Sequence, residues 1–378
     1  MKTHIAAIGF GIALLAPVYA SGEPSASERQ EEIQQRCIVR LVDSVESSKV
    51  YAIAHAFAAR NNASLKFVYR NAIKGFTINM PCHAAEAAFG DSDFILSMET
   101  DSVVSINKKP ADAGGGKGKN SASGQTVSYG TVRVGGPQDG TGYTAWVIDT
   151  GVDLNHKDLN VDAGRSFSIF SRGGADDLNG HGTHVAGIIG AKDNDIGSLG
   201  VAPNASIVPV RVLDQRGYGS VSGVIAGVDY VAANARPGDC VNMSLGGGIS
   251  TSLDSAVANA SNATKAFFTL AAGNELDSAD NHSPARVNGQ YVYTVSAIDE
   301  YDTWAYFSNF GNPPVDYAAP GVNIFSLWKD GGTYTASGTS MAAPHACAVL
   351  MLSGGSAGSD STANGDPDDH DDPIIHLP

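Results

Sequence analysis

Four polar residues stand where apolar runs end or helical patterns begin: Asp149, His181, Asn274 and Ser340. Asp149 closes the run Ala145-Trp146-Val147-Ile148 and precedes Thr150-Gly151. His181 opens His181-Gly182-Thr183-His184-Val185-Ala186-Gly187, where small residues enter an amphipathic helix. Ser340 lies in Gly338-Thr339-Ser340-Met341-Ala342-Ala343-Pro344-His345. A proline is tolerated only in a first helical turn, so Pro344 sets Ser340 at a helix N-terminus. Partly positive backbone N–H groups there favour a developing oxyanion. An acid, an imidazole and a hydroxyl are what acyl transfer requires: the imidazole takes the serine proton, and the carboxylate fixes its tautomer and stabilises the imidazolium. Singly, each has an ordinary reading, with Ser340 as a helix cap and Asp149 and Asn274 as turn residues. The joint pattern is far more specific than any member.

These residues need a scaffold, and residues 129–353 supply its pattern. Apolar runs at 145–148, 206–213, 266–270 and 292–295 read as strands, while Val221, Val224, Ile225, Val228 and Val231 recur at helical spacing and residues 254–263 continue similarly. The alternation predicts an α/β domain with a mostly parallel sheet, over residues 126–353. Upstream, residues 37–107 read as a small βαββαβ-like α+β unit of ferredoxin-like type, with strands at 37–41, 65–69, 75–79 and 103–106 and helices at 45–60 and 84–89. Residues 21–36 form a polar N-terminal segment. The Gly- and Lys-rich stretch 108–125 has linker composition and fails as a phosphate loop, since Ala113 and Asn120 stand where that motif needs Gly and Ser or Thr.

Composition narrows the classes further. With 24 Lys and Arg against 39 Asp and Glu, the 378-residue chain has a formal net charge of −15, which repels a phosphate backbone and argues against nucleic-acid binding. Residues 1–20, with a basic start, an apolar run and small residues near Ala20, read as a cleaved signal peptide, too short to span a bilayer. An exported chain without a membrane span is expected. Residues 354–378 hold six Asp and no Lys or Arg and read as an acidic disordered tail.

The motifs around Asp149, His181, Asn274 and Ser340, together with Asn242-Met243-Ser244-Leu245-Gly246-Gly247, resemble those of the subtilisin-like serine proteases, in that family's order and closest to its proteinase K-like branch. The resemblance implies a three-layer subtilisin-like fold. It makes Asp149 the orienting acid, His181 the general base and acid, Ser340 the nucleophile, and Asn274 an oxyanion donor beside the Ser340 backbone N–H. Ser244, Leu245, Gly246 and Gly247 would form an edge strand that pairs with substrate backbone. Residues 37–107 resemble the family's propeptide, an intramolecular inhibitor and folding aid whose last strand docks in the substrate cleft. Self-cleavage would then fall in the linker.

Other chemistries fail on particular residues. Asp149-Thr150-Gly151 has no second Asp-Thr/Ser-Gly partner for an aspartic protease. His181 and His184 lack the H-E-x-x-H metal pattern, and His184 is expected to be a structural hydrogen-bonding residue. Ser340 does not lie in G-x-S-x-G. By the same resemblance, Asp158 and Asn194, with carbonyls of Lys192, Ile196 and Ser198, match a calcium site, and Asp316 matches a second, weaker one; oxygen ligands suit that hard cation. No organic cofactor is implied. Cys37–Cys82 and Cys240–Cys347 would be the disulfides that survive propeptide removal, the alternative being buried free thiols. Only 38 residues follow Ser340, fewer than is usual in the family, so less cover over its helix is expected. The resulting expectation is a secreted, monomeric serine endopeptidase made as a self-processing zymogen, with polypeptide substrates and a broad pocket preferring apolar or aromatic side chains. A catalytically weak, peptide-binding or chaperone-like homologue is the alternative.

Overall fold

The computed structural model describes residues 26–90, 92–106, 124–368 and 370–378. The expected signal peptide at 1–20 and linker residues 108–123 lie outside the described residues.

Residues 37–100 form a four-stranded antiparallel sheet in the order Leu65–Tyr69, Gly75–Ile78, Cys37–Leu41, Ile95–Thr100. Helices Ser47–Arg60 and Cys82–Phe89 pack on it, burying Val50, Phe57 and Phe89 against Val39, Phe76 and Ile78. The Cys37–Cys82 disulfide joins the first strand to the second helix. The fourth strand is Ile95–Thr100, not the predicted 103–106 segment. Its alternation is hidden by Ser97 and Glu99 and by the exposure of Leu96. Val103–Ser105 instead leaves this sheet and pairs with the larger unit. The polar segment at 21–36 contains a helix, Ala26–Gln34, whose Arg29 reaches Asp214 at 3.2 Å.

The larger unit is built on a parallel run of strands: Pro373–His376, Val315–Pro320, Val292–Ile298, Phe267–Ala271, Cys240–Met243, Thr144–Asp149 and Ser206–Arg211. Both faces of this sheet are covered, as its near-continuous apolar runs require. On Thr144–Asp149, Ala145 and Val147 join the core under helices His181–Gly190 and Thr339–Ser353, while Trp146 and Ile148 join the core under Val221–Asn234 and Thr251–Thr264. Three layers result, in the α/β arrangement the sequence predicts. The Cys240–Cys347 disulfide ties the central strand to the helix that begins at Thr339.

The C-terminus departs from expectation. Gly358–Thr362 and Pro373–His376 form an antiparallel pair, and Ile374 lies opposite Ala318 at the sheet edge. Ile374 and Ile375 are fully buried, and Asp372 is buried with its carboxylate on the Ser296 hydroxyl and the Asn312 amide. Averaging over six aspartates masks one short apolar strand, which is enough to order the segment. The helix Thr339–Ser353 is buried from Thr339 to Leu352, with Ile375 and Leu377 in the same core, so the reduced cover expected over it does not occur.

Candidate active site

Asp149 ends its strand at the C-terminal edge of the sheet, where open α/β sheets build their sites. His181 is the first residue of its helix. Its Nδ1 lies 2.8 and 2.9 Å from the two Asp149 oxygens. The close approach depends on Gly182, because a Cβ there would collide with the Gly151 carbonyl. Gly180, at φ 119°, turns the chain into the helix in a conformation that favours glycine. Burial works against the His181 imidazolium, but the Asp149 contacts and the more distant Asp177 charge outweigh it and hold its pKa above the ordinary value.

Ser340 is the second residue of Thr339–Ser353, as expected, although Pro344 lies in the second turn rather than the first. The proline has no N–H for the Ser340 carbonyl, which accepts instead from Ser244 Oγ at 2.8 Å. The Ser340 hydroxyl is 3.5 Å from the Ser244 carbonyl. His181 and Ser340 line one cavity of about 290 Å³, which also carries Trp328, Tyr334 and Ile106. With Nδ1 taken by Asp149, the free Nε2 is the ring end able to accept a proton.

Asn274 is oriented by its neighbour: its Oδ1 accepts from Thr339 N at 2.9 Å and Thr339 Oγ1 at 3.1 Å. The amide nitrogen is therefore the group left to donate, on the side where Gly338 has no Cβ. An imidazole–carboxylate pair, a hydroxyl at a helix start and an oriented amide donor can together carry out acyl transfer.

Gly246 and Gly247 pair antiparallel with Ser105 and Val104, and Tyr218, Gly219 and Ser220 pair antiparallel with Ser105, Val104 and Val103 from the other side. Val103–Ser105 is thus the middle strand of a three-stranded sheet across the site. Leu245 buries its side chain in the core, leaving only its backbone to meet a bound chain. The opposing edge Tyr218–Ser220 escapes sequence reasoning because Gly219 and Ser220 carry no apolar signal. A second cavity of about 290 Å³ opens beside Gly246–Gly248 and Ala271–Gly273; Glu275 and His282 add polar groups to a pocket that the sequence reading took as apolar.

Asp177 is another residue that sequence reasoning missed. It is buried, and its Oδ1 accepts from Thr150 Oγ1 (2.9 Å), Asn179 N (2.9 Å) and Gly180 N (2.8 Å), while Oδ2 accepts from Thr183 N (3.0 Å) and Thr183 Oγ1 (2.6 Å). Burial holds its pKa above the ordinary carboxylate value, against the smaller lowering by these donors. One carboxylate thereby ties the residue after Asp149 to the first turn of the His181 helix. The signal was an Asp four residues ahead of a helical histidine, in N-capping range of that helix.

His184 is structural: Nε2 lies 3.2 Å from the Ile324 carbonyl and 3.0 Å from that of Tyr334, and burial pushes its pKa down to about 3. Among the calcium candidates, Asn194 Nδ2 meets Asp158 Oδ1 at 2.7 Å, and Gln125 Nε2 meets the carbonyls of Lys192 (2.6 Å) and Ser198 (3.1 Å). Turned end for end, the Gln125 amide would set its oxygen against those carbonyls, an arrangement suited to a hard cation, while the Asn194 amide is held as it stands by the Ile196 N–H, which donates to its Oδ1 at 2.8 Å. Gln125, absent from the candidates read from the sequence, lies beside them. Asp316 is not in this cluster; its carboxylate accepts from the Thr294 N–H at 2.9 Å. Among the described residues, no three acidic, His or Cys side chains gather as a metal cluster.

Residues 140–357 match the Subtilase family. The chain belongs to that family of serine proteases. It is 52% identical over 219 residues to the alkaline serine exoprotease A of Vibrio alginolyticus, a match covering 57% of this chain and 39% of that protein. It is 43% identical over 257 residues to proteinase T of Parengyodontium album, covering 66% of this chain and 82% of that one. Among solved structures, a cold-adapted subtilisin-like serine proteinase superposes with a TM-score of 0.54 at 46% identity, over 59% of this chain and 83% of that chain. Among the described residues of this subtilase, no helix is long and apolar enough to cross a membrane.

Proposed function

We propose that this subtilase is a secreted serine endopeptidase that matures from a zymogen by its own catalysis. The observation that carries this reading is the His181 imidazole, fixed at Nδ1 by both Asp149 oxygens and sharing a cavity with the Ser340 hydroxyl. In this reading Ser340 Oγ attacks a peptide carbonyl as His181 Nε2 takes its proton. Asn274 Nδ2 and the Ser340 backbone N–H stabilise the oxyanion, and His181 returns the proton to the departing amine. Water then enters by the same route and frees the acyl group. The substrate binds as an extended chain between Gly246–Gly247 and Tyr218–Ser220.

Residues 37–107 act as the inhibitor, because Val103–Ser105 occupies that same edge-to-edge groove. Two carboxylates of this unit strengthen the docking: Asp101 accepts from the N–H and hydroxyl of Ser222, and Glu99 from the N–H of Ser252, each at the start of a helix of the larger unit. Specificity is broad, with apolar walls and a polar rim at Glu275 and His282. A calcium ion held by Asp158, Asn194 and Gln125 with the Lys192 and Ser198 carbonyls would be structural, tying the start of the larger unit to the 192–198 loop.

The test is to express the full chain and its Ser340→Ala variant and to follow size and casein hydrolysis. Conversion to a shorter form with casein cleavage, both absent in the variant, supports the reading. Equal conversion of both chains, or an intact and inert wild type, refutes it.

A further inference from the structure

Asn274, the oxyanion donor of that reading, stands on a loop, residues 272–277, that is held from two sides. Thr339 fixes its side-chain oxygen. Across the loop lies Asn309, which is fully buried. Asn309 Oδ1 accepts from Glu275 N at 2.9 Å and Asp277 N at 3.1 Å, and its Nδ2 donates to the Ala272 carbonyl at 3.1 Å and to Glu275 Oε2 at 2.9 Å. Its backbone N–H donates to the Gly273 carbonyl at 3.0 Å. A carboxamide offers two N–H donors and two acceptor positions, and here all of them are filled by one loop. Glu275 completes the frame, because the oxygen that meets Asn309 also accepts the Asn274 N–H at 2.8 Å. Gly273, at φ 115°, makes the approach possible: a Cβ there would fall on the Asn309 amide.

We propose that Asn309 is a positioning residue for the reaction, acting through Glu275 to set the backbone from which Asn274 Nδ2 reaches the oxyanion. The statement rests on the serine-protease reading above. An oxyanion donor has its full effect only where the charge develops, so it must be in place before the reaction begins. Thr339 orients the Asn274 side chain, but orientation alone leaves the height of its Cα above Ser340 unset. The buried amide supplies that constraint. The backbone bonds from Leu276 N to the Phe307 carbonyl (3.0 Å) and from Phe310 N to the Asp277 carbonyl (3.2 Å) do not involve the Asn309 side chain, so Asn309→Ala loosens the loop without removing its attachment.

An amide that merely supports the fold and one that places a donor differ in a measurable way. If Asn309 acts through Asn274, its removal has no further effect on turnover once that donor is gone. Asn309→Ala, Asn274→Ala and the double variant are compared as matured enzymes, their active sites counted with a serine-directed phosphonate. A soluble peptide substrate gives kcat and KM, and Tm is measured on the same samples. The first-order rate at which each full chain converts to the mature form is read as well and should follow the same factors. Alone, Asn309→Ala should lower kcat by about 10–100-fold, within the effect of about 10²–10³ of the donor itself, with KM changed by less than about threefold. In the Asn274→Ala background the same substitution should lower kcat by less than about threefold while lowering Tm as much as before. Glu275→Ala, at an exposed position, should lower kcat by about 3–10-fold alone and not at all without Asn274, and it carries the test if Asn309→Ala does not fold. Equal factors in both backgrounds make Asn309 a purely structural residue and overturn the proposal. So does an unchanged kcat in Asn309→Ala or in Asn274→Ala, and in each case the protease reading stands. A Ser340→Ala chain that hydrolyses casein as fast as the wild type removes the protease reading and the proposal with it.

Discussion

Replacing Asp177 tests whether the geometry of the Asp149–His181 pair is built by one buried carboxylate. In Asp177→Asn, one oxygen becomes an NH2 facing groups that already donate. Facing Thr150, Asn179 and Gly180 it would lose two backbone N–H contacts, so the less costly orientation sets it against Thr183, where the N–H contact is lost and the hydroxyl can turn to accept. An orphaned buried N–H costs about 1–3 kcal/mol, and a lost hydrogen bond to a charged group about 1.5–3 kcal/mol. The expected destabilisation is therefore about 3–5 kcal/mol, or a fall in Tm on the order of 10 °C. Loss of this tie lets the first turn of the His181 helix drift from Asp149, and a misplacement near 1 Å is worth about a hundredfold in rate. We expect kcat lower by about 10–100-fold with KM little changed.

The charge has a separate signature. Asp177 helps hold the His181 pKa above its ordinary value. Removing that negative charge lowers the His181 pKa, so the acid limb of kcat/KM moves to lower pH. Val257→Ala, in the opposite helical layer, serves as the control for instability alone: it lowers Tm without moving the limb. The assay is peptide hydrolysis across pH 5–10 on matured enzyme, with Tm measured on the same samples. An Asp177→Asn enzyme with unchanged kcat and an unmoved acid limb refutes the positioning role, whatever its Tm.

Asn274→Ala removes one oxyanion donor and should lower kcat by about 10²–10³ with little change in KM, measured with a soluble peptide substrate; a fall confined to KM would contradict the orientation set by Thr339. Chelator should lower the Tm of the wild type, and Asp158→Ala should have a lowered Tm that no longer responds to chelator; equal responses in both would remove the cation from that loop. Burial and the neighbouring Asp366 and Asp368 charges raise the Asp372 pKa to about 7. Folding of the C-terminal strand pair then takes up a proton: its stability is full below the unfolded value near 4 and is lost as pH rises toward 7. Protection of the Ile374 and Ile375 amides, as exchange relative to the intrinsic rate at each pH, should therefore be greater at pH 5 than at pH 8, and Asp372→Asn should abolish the difference in protection. Removing the Cys240–Cys347 link, which closes a loop of 107 residues, should cost about 2–4 kcal/mol by denaturant melting.

The parts of the site legible in the sequence are those whose chemistry is local. Asp149, His181 and Ser340 each sit where a strand ends or a helix begins, and such ends are marked within a few residues by glycine, by proline and by the change from period 2 to period 3.6. The same local logic finds the sheet strands on which these residues stand, because a strand covered on both faces is apolar throughout. What escapes are features made by partners far apart in the chain. Asp177 looks like one of two surface aspartates until the fold turns Thr150 and Thr183 toward it. Gln125 acquires meaning only opposite carbonyls more than sixty residues away. The segment 354–378 is misread for a related reason: composition averages over its length, whereas its order comes from two adjacent isoleucines at a sheet edge and one carboxylate buried on Ser296 and Asn312. Val103–Ser105 is the most instructive case, since its strand character was readable and its partners were not. Three residues of unremarkable β pattern could have closed the small sheet; they cross the cleft instead because Ile95–Thr100 already fills that edge. The register that results is a property of two units meeting, which the local pattern of neither unit spells out.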